Sequence, residues 1–145
     1  MSLGAKSLAP IWRIYKEGLT MKTRYKNGNF YLNHHFLKGD MIVEDGKILE
    51  IGTLAQDEVM DEVDLEGQTV VPGFIDIHTH GAVGVDVNGA DAQGFEKICQ
   101  FFASQGTTSW LGSVLTDTRE QTLTAIGEYK AWKKSEHNGA QMLGI

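Results

Sequence analysis

Cysteine is almost missing from this chain. The single thiol, Cys99, cannot pair internally, so a disulfide framework is excluded and a reducing cytoplasm fits. Basic charge is in deficit. Thirteen Lys and Arg face nineteen Asp and Glu, a formal net charge of -6, and no basic patch stands out, so nucleic acid is not an expected partner. Long apolar runs are lacking too. None reaches the roughly 20 residues of a membrane helix, so no membrane role is expected. The first 20 residues are not a secretory signal, because Arg13, Lys16 and Glu17 interrupt any apolar core. The glycines at 81, 84 and 89 are followed by no phosphate-loop lysine. Five acids (Asp57, Glu58, Asp61, Glu62 and Asp64) lack the spacing and internal glycine of a calcium loop, and they read as a solvated loop. No internal repeat or low-complexity segment is evident. What remains is an ordinary globular composition, 41% hydrophobic and 22% charged, over 145 residues.

The stretch from Val71 to Gly81, VPGFIDIHTHG, organises the rest. Pro72-Gly73 marks an entry turn, an apolar run follows, and glycines flank the exit. This pattern predicts a buried strand ending in two histidines. Side chains on a strand alternate, so His78 and His80 share one face, with Asp76 two residues deeper. Ile75, Ile77 and Thr79 take the opposite face, where they are expected to pack on helices. Two imidazoles on one face can close on one metal ion, and imidazole suits zinc, iron and nickel. Asp76 lies roughly 6–7 Å below the histidines. It is a candidate to orient a ligand from behind, or equally a structural hydrogen-bonding group.

Before that strand the text is β-like. Residues 1–20 read as a leader or upstream extension, with Met21 as the natural initiator. The alternative is a helical arm through Ile11, Trp12, Ile14 and Tyr15. Asn27-Gly28 signals a turn, and Phe30 to Leu32 a short strand. His34 and His35 are adjacent, make a poor chelating pair and read as loop residues. Residues 41–52 read as a hairpin turning at Asp45-Gly46. After Gly81 comes a glycine-containing loop. Asp91 can cap a helix from 92 to about 104 with Phe95, Ile98, Cys99 and Phe102 on one face, and Gly106 fits its stop. Cys99 on that face reads as a buried, inert thiol. Residues 107–115 read as a strand. Thr116, Asp117 and Thr118 are candidate caps for a helix running to about 135, with Leu123, Ile126, Tyr129 and the Lys130 stem on one side. A third strand is expected from Gln141. This βαβαβ alternation is that of a parallel sheet.

The phrases EDGKILEIG and DLEGQTVVPGFIDIHTHG resemble the amidohydrolase superfamily. The continuation through Gly106-Thr107-Thr108-Ser109 is similar, more narrowly, to the N-acetylglucosamine-6-phosphate deacetylases. The resemblance implies an α/β fold. Residues 72–145 would form the first βαβαβ portion of a (β/α)8 TIM-like barrel, and residues 21–71 the N-terminal part of a small β-sandwich domain. It implies a metal-dependent hydrolase that cleaves the acetamide of N-acetylglucosamine 6-phosphate to acetate and glucosamine 6-phosphate in the cytoplasm. His78 and His80 match the family's first-strand metal motif, with one or two divalent ions, zinc or iron. A small sugar phosphate is the expected partner, and a homodimer the expected assembly of the intact protein. A whole barrel takes about 250 residues. The chain therefore reads as the N-terminal portion of a longer protein, with the bridging glutamate, later histidines and catalytic aspartate expected beyond Ile145. The alternatives are another amidohydrolase, of dihydroorotase or D-aminoacylase type, or a non-catalytic fragment.

Overall fold

The computed structural model describes residues 22–54 and 61–145. The 1–20 leader, its alternative helical arm, Met21, and the acids Asp57 and Glu58 lie outside the described residues. The chain divides after Pro72 into two compact units.

The first unit is a sheet built on a long central strand. Strands β1 (Lys22–Leu32), β2 (His35–Glu44) and β3 (Lys47–Gly52) form an antiparallel meander. On its other side β1 pairs in parallel with β4 (Asp61–Asp64) and, further along, with β5 (Thr69–Val70). The Asp45-Gly46 turn is as expected: both residues have positive φ, 47° and 70°, which suits a two-residue hairpin. Two other readings need correction. The loop reading of the two adjacent histidines holds for His34 and fails for His35. Asn33 and His34 form a second tight turn, φ 50° and 66°, and His35 begins β2. Asn27-Gly28 does not reverse the chain. Asn27, at φ 58°, forms a bulge inside β1, where the register with β2 shifts between Tyr25 and Gly28.

The acidic stretch differs as well. Residues 61–64 were expected in a solvated loop and instead form β4 beside β1. Two of its acids find partners there. Glu62 accepts from Lys26 Nζ at 2.8 Å, and Asp64 accepts from Asn27 Nδ2 at 3.0 Å. Asp64 also accepts the Glu66 main-chain N–H at 2.9 Å, and this bond above all holds its carboxyl below the usual range.

Tyr25, Phe30, Met41, Val43 and Leu65 form this unit's core. Arg24 is also buried, 6% exposed. Its Nε donates to Asp40 at 2.7 Å, its Nη2 donates to the same carboxylate, and Nη2 reaches the Leu54 carbonyl at 3.2 Å. Asp40 also accepts the Asn27 N–H at the bulge, at 3.0 Å. Breaking a buried pair from one side strands a charge. Asp40→Ala is therefore expected to cost this unit about 3 kcal/mol in chemical denaturation, and Asp40→Asn, which keeps an acceptor for the bulge, less. A cost below about 1 kcal/mol for the alanine variant would place the pair among weak surface bridges.

The second unit alternates as expected. Strand β6 (Phe74–Thr79) is followed by a small hairpin, β7 (Gly81–Ala82) and β8 (Val85–Asp86), and a 3-10 turn at Val87–Gly89. Then come α1 (Ala92–Ser104), β9 (Thr107–Gly112), α2 (Arg119–Trp132) and β10 (Gln141–Gly144). The three longer strands are parallel in the order β10-β9-β6. Asp91 caps α1 by accepting from Gly94 N at 2.8 Å, and Thr118 caps α2 by accepting from Gln121 N at 3.2 Å.

The helices cover β9 and β10, not β6. Trp110 and Met142 are buried among Phe95, Ile98, Phe102 and Trp132, whereas Ile75 and Ile77 are 63% and 72% exposed. The expectation that these isoleucines pack on helices fails because α1 and α2 land on β9 and β10 and leave that face of β6 uncovered among the described residues. The inner face of α2 is as expected at Tyr129 and differs elsewhere. Ala125, Tyr129 and Trp132, spaced by four and three residues, are buried, while Leu123 is 55% exposed and Lys130 is exposed. Strand β9 stops at Gly112 instead of 115. Cys99 is fully buried as expected; burial pushes its thiol up to about 11, with the Trp110 side chain opposing the rise.

Candidate metal centre

The end of β6 is where the chemistry-bearing side chains meet. His78 and His80 are brought together: their rings lie 5.1 Å apart, edge to face at 88°. The two-residue period of the strand does this, and the exit is then locked from several sides. Ser113 N donates to the Thr79 carbonyl at 2.7 Å, and Val87 N donates to the His80 carbonyl at 2.8 Å. Gly81, at φ 135°, opens the β7–β8 hairpin, and a Cβ there would run into the Val85 carbonyl.

The His80 ring is oriented by a specific bond. Its Nδ1 lies 2.8 Å from the Ser113 carbonyl oxygen. A carbonyl can only accept, so Nδ1 carries the proton of this bond, and in the neutral ring Nε2 keeps its lone pair. That is the arrangement of a metal-ligating histidine, whose other nitrogen donates to a fixed acceptor. His78 is exposed, with its main-chain N–H bonded to Asp76 Oδ1 at 3.0 Å. Asp76 therefore shapes the backbone under His78, and its carboxylate is engaged there.

The donor set suits a divalent ion as far as it goes. Two adjacent imidazoles, one with its tautomer set, supply nitrogen ligands for zinc or iron. Among the described residues no third His, Cys, Asp or Glu joins them to complete a cluster, and such sites use three or four protein ligands.

Two contributors to this centre were not foreseen. The Ser113 carbonyl is main chain and leaves no trace in residue type. Asn88 sits in the 3-10 turn after β8 and ties that turn to the loop following β9. Its Nδ2 donates to the Leu115 carbonyl at 3.2 Å and to Asp117 at 3.3 Å, while its Oδ1 accepts from Leu115 N at 2.8 Å. An Asn inside a glycine-flanked turn was the one available signal.

Residues 61–127 match the family model described as Amidohydrolase family. The N-acetylglucosamine-6-phosphate deacetylase of Bacillus subtilis (strain 168) is 30% identical over 118 residues, which covers 78% of this chain and 30% of that enzyme. A dihydroorotase of Lactobacillus acidophilus is 44% identical over 61 residues, covering 41% of this chain and 14% of that enzyme. The crystal structure of N-acetylglucosamine-6-phosphate deacetylase from Pasteurella multocida has a TM-score of 0.72 at 24% identity, over 83% of this chain and 32% of that one, a likeness of fold. The chain thus spans 30% or less of the length of these curated relatives. Its second unit carries the fold of the opening βαβαβ segment of an amidohydrolase (β/α)8 barrel. No helix among the described residues is long and apolar enough to cross a membrane.

Proposed function

We infer that this chain, which resembles the N-terminal portion of the N-acetylglucosamine-6-phosphate deacetylases of the amidohydrolase superfamily, contributes the first metal-binding strand of a metal-dependent amide hydrolase. The observation that carries the reading is the His78–His80 pair at the end of β6, with His80 held as the Nδ1–H tautomer by Ser113.

His78 and His80 would hold a divalent ion, zinc or iron, through ring nitrogens. Such an ion, when bound, polarises an amide carbonyl and lowers the pKa of water. The chain's own task is to present two imidazoles at a strand end, where barrel enzymes collect their reacting groups. Fixing the His80 tautomer in advance removes the need to reorganise it on binding. The proposed substrate is N-acetylglucosamine 6-phosphate, cleaved at its acetamide to acetate and glucosamine 6-phosphate. Support for that choice is the 30% identity with the Bacillus subtilis deacetylase across most of this chain. The proposed assembly is a homodimer.

A second reading is hydrolysis of a cyclic amide, favoured by the 44% identity with a dihydroorotase over a shorter stretch. Protein expressed from the full reading frame decides between them. It is expected to release acetate from N-acetylglucosamine 6-phosphate and to be much slower on the sugar without phosphate. Ring opening of dihydroorotate with no acetate release would overturn the first reading in favour of the second, and inactivity on both with metal bound would reject both.

A further inference from the structure

We propose that Asn88 is a positioning residue for the metal centre: it holds the loop after β9 so that the Ser113 carbonyl keeps His80 in its Nδ1–H tautomer. The consequence for metal binding rests on reading His78 and His80 as ligands. The effect on the tautomer does not.

The carbonyl direction at Ser113 is set by the Ser113–Val114 peptide plane. The position of that carbonyl relative to the His80 ring depends on how the loop is held on either side of the plane. Upstream, Ser113 N is bonded to the Thr79 carbonyl at 2.7 Å, which ties the residue to the end of β6. Downstream, regular structure has ended, since β9 stops at Gly112 and α2 starts only at Arg119. The downstream anchor is Asn88. Its amide grips both main-chain polar groups of Leu115, accepting from N–H at 2.8 Å and donating to C=O at 3.2 Å. With Leu115 held two residues beyond Ser113, the loop is tethered to the β6 side on both flanks of the Ser113 carbonyl, which keeps that carbonyl beside the His80 ring.

Asn88 is itself well placed. Its N–H donates to Asp86 Oδ1 at 2.8 Å, and the neighbouring Val87 is fully buried and bonded through its N–H to the His80 carbonyl at 2.8 Å. One turn therefore holds the His80 backbone through Val87 and the His80 ring, at one remove, through Asn88. A side-chain amide suits this role, because Asn carries an N–H donor and a carbonyl acceptor side by side on one short planar group. Gln would reach too far by one methylene.

The test reads the ring directly. The protein from the full reading frame is labelled with 15N at histidine, freed of metal, and studied by two-bond 1H–15N correlation at a pH where both rings are neutral. The unsubstituted protein should show His80 as a single Nδ1–H tautomer. In Asn88→Ala, His80 should become a mixture with substantial Nε2–H, while His78, which lacks this brace, is unchanged and serves as the internal control. Zinc affinity, measured by competition with a chromogenic chelator, should fall about 10- to 100-fold, the usual loss when a group behind a ligand is removed. Asn88→Asp provides a second variant if the alanine protein fails to fold. It keeps the acceptor for Leu115 N–H, loses the donor, sets a carboxylate against Asp117, and should shift the tautomer in the same direction.

A pure Nδ1–H tautomer in a folded variant, with zinc affinity within twofold, overturns the proposal. If the unsubstituted protein binds no zinc, the metal-hydrolase reading fails, and the tautomer spectra alone decide the role of Asn88.

Discussion

Replacing His78 and His80 together with alanine is expected to remove the bound metal from the protein and abolish hydrolysis. Loss of a group that merely supports a ligand costs about 10- to 100-fold in metal affinity, so loss of two ligands should exceed 100-fold. Elemental analysis of the purified protein would then show less than about a tenth of the metal of the unsubstituted form. The folded state should survive. His78 is exposed, His80 half-buried, and neither belongs to the core of the second unit. Far-UV circular dichroism and the denaturation midpoint should move little, which separates loss of metal from loss of structure. Unchanged metal content in the double variant would reject the assignment of these residues. The single variants are informative in a different way. His80 comes with its tautomer set, so His80→Ala is expected to cost more metal affinity than His78→Ala.

Trp110→Ala should produce the largest change in stability. Trp110 is fully buried in β9, its ring 5.2 Å from that of Phe102, and it belongs to the cluster that joins α1 and α2 to the sheet. Removing an indole from such a position loses its transfer energy and leaves a cavity, about 3–5 kcal/mol in well-packed cores. A domain stable by about 5–15 kcal/mol would lose a large part of its margin. Leu123→Ala is the matched control. Leu123 is 55% exposed on α2, and its truncation should stay within about 0.5 kcal/mol. Equal effects of the two substitutions in urea denaturation would mean that the helices pack on the sheet through a different face.

The legible features were those whose cause is local. Asp91 and Thr118 cap helices because a short oxygen-bearing side chain precedes an apolar helical period, and both parts lie within a few residues. The Asp45-Gly46 turn follows from residues that tolerate positive φ. By contrast, Asn27-Gly28 carries the same local signal and yet forms a bulge. The chain resumes pairing on both sides of it because β2 continues alongside and Asp40 holds the Asn27 N–H. Turn and bulge both place their first residue at positive φ, and what decides between them is a residue thirteen positions away. The strand Asp61–Asp64 was hidden for a related reason. Its text is three acids and a valine, which has no apolar alternation to read, and only pairing with β1 makes it a strand.

At the candidate metal centre the division has the same origin. That His78 and His80 share a face follows from the sequence alone, because the period of a strand is two whatever surrounds it. Which His80 nitrogen is free was a tertiary decision. It depends on the carbonyl of Ser113, thirty-three residues away, and on an asparagine that steadies the loop carrying it. The same contrast holds for the isoleucines of β6. Alternation assigned them to the face opposite the histidines, but whether that face is covered depends on where the helices land, and they land on β9 and β10. Backbone periodicity travels with the chain. Main-chain acceptors, strand neighbours and helix placement belong to segments distant in sequence, and residue type carries no record of them.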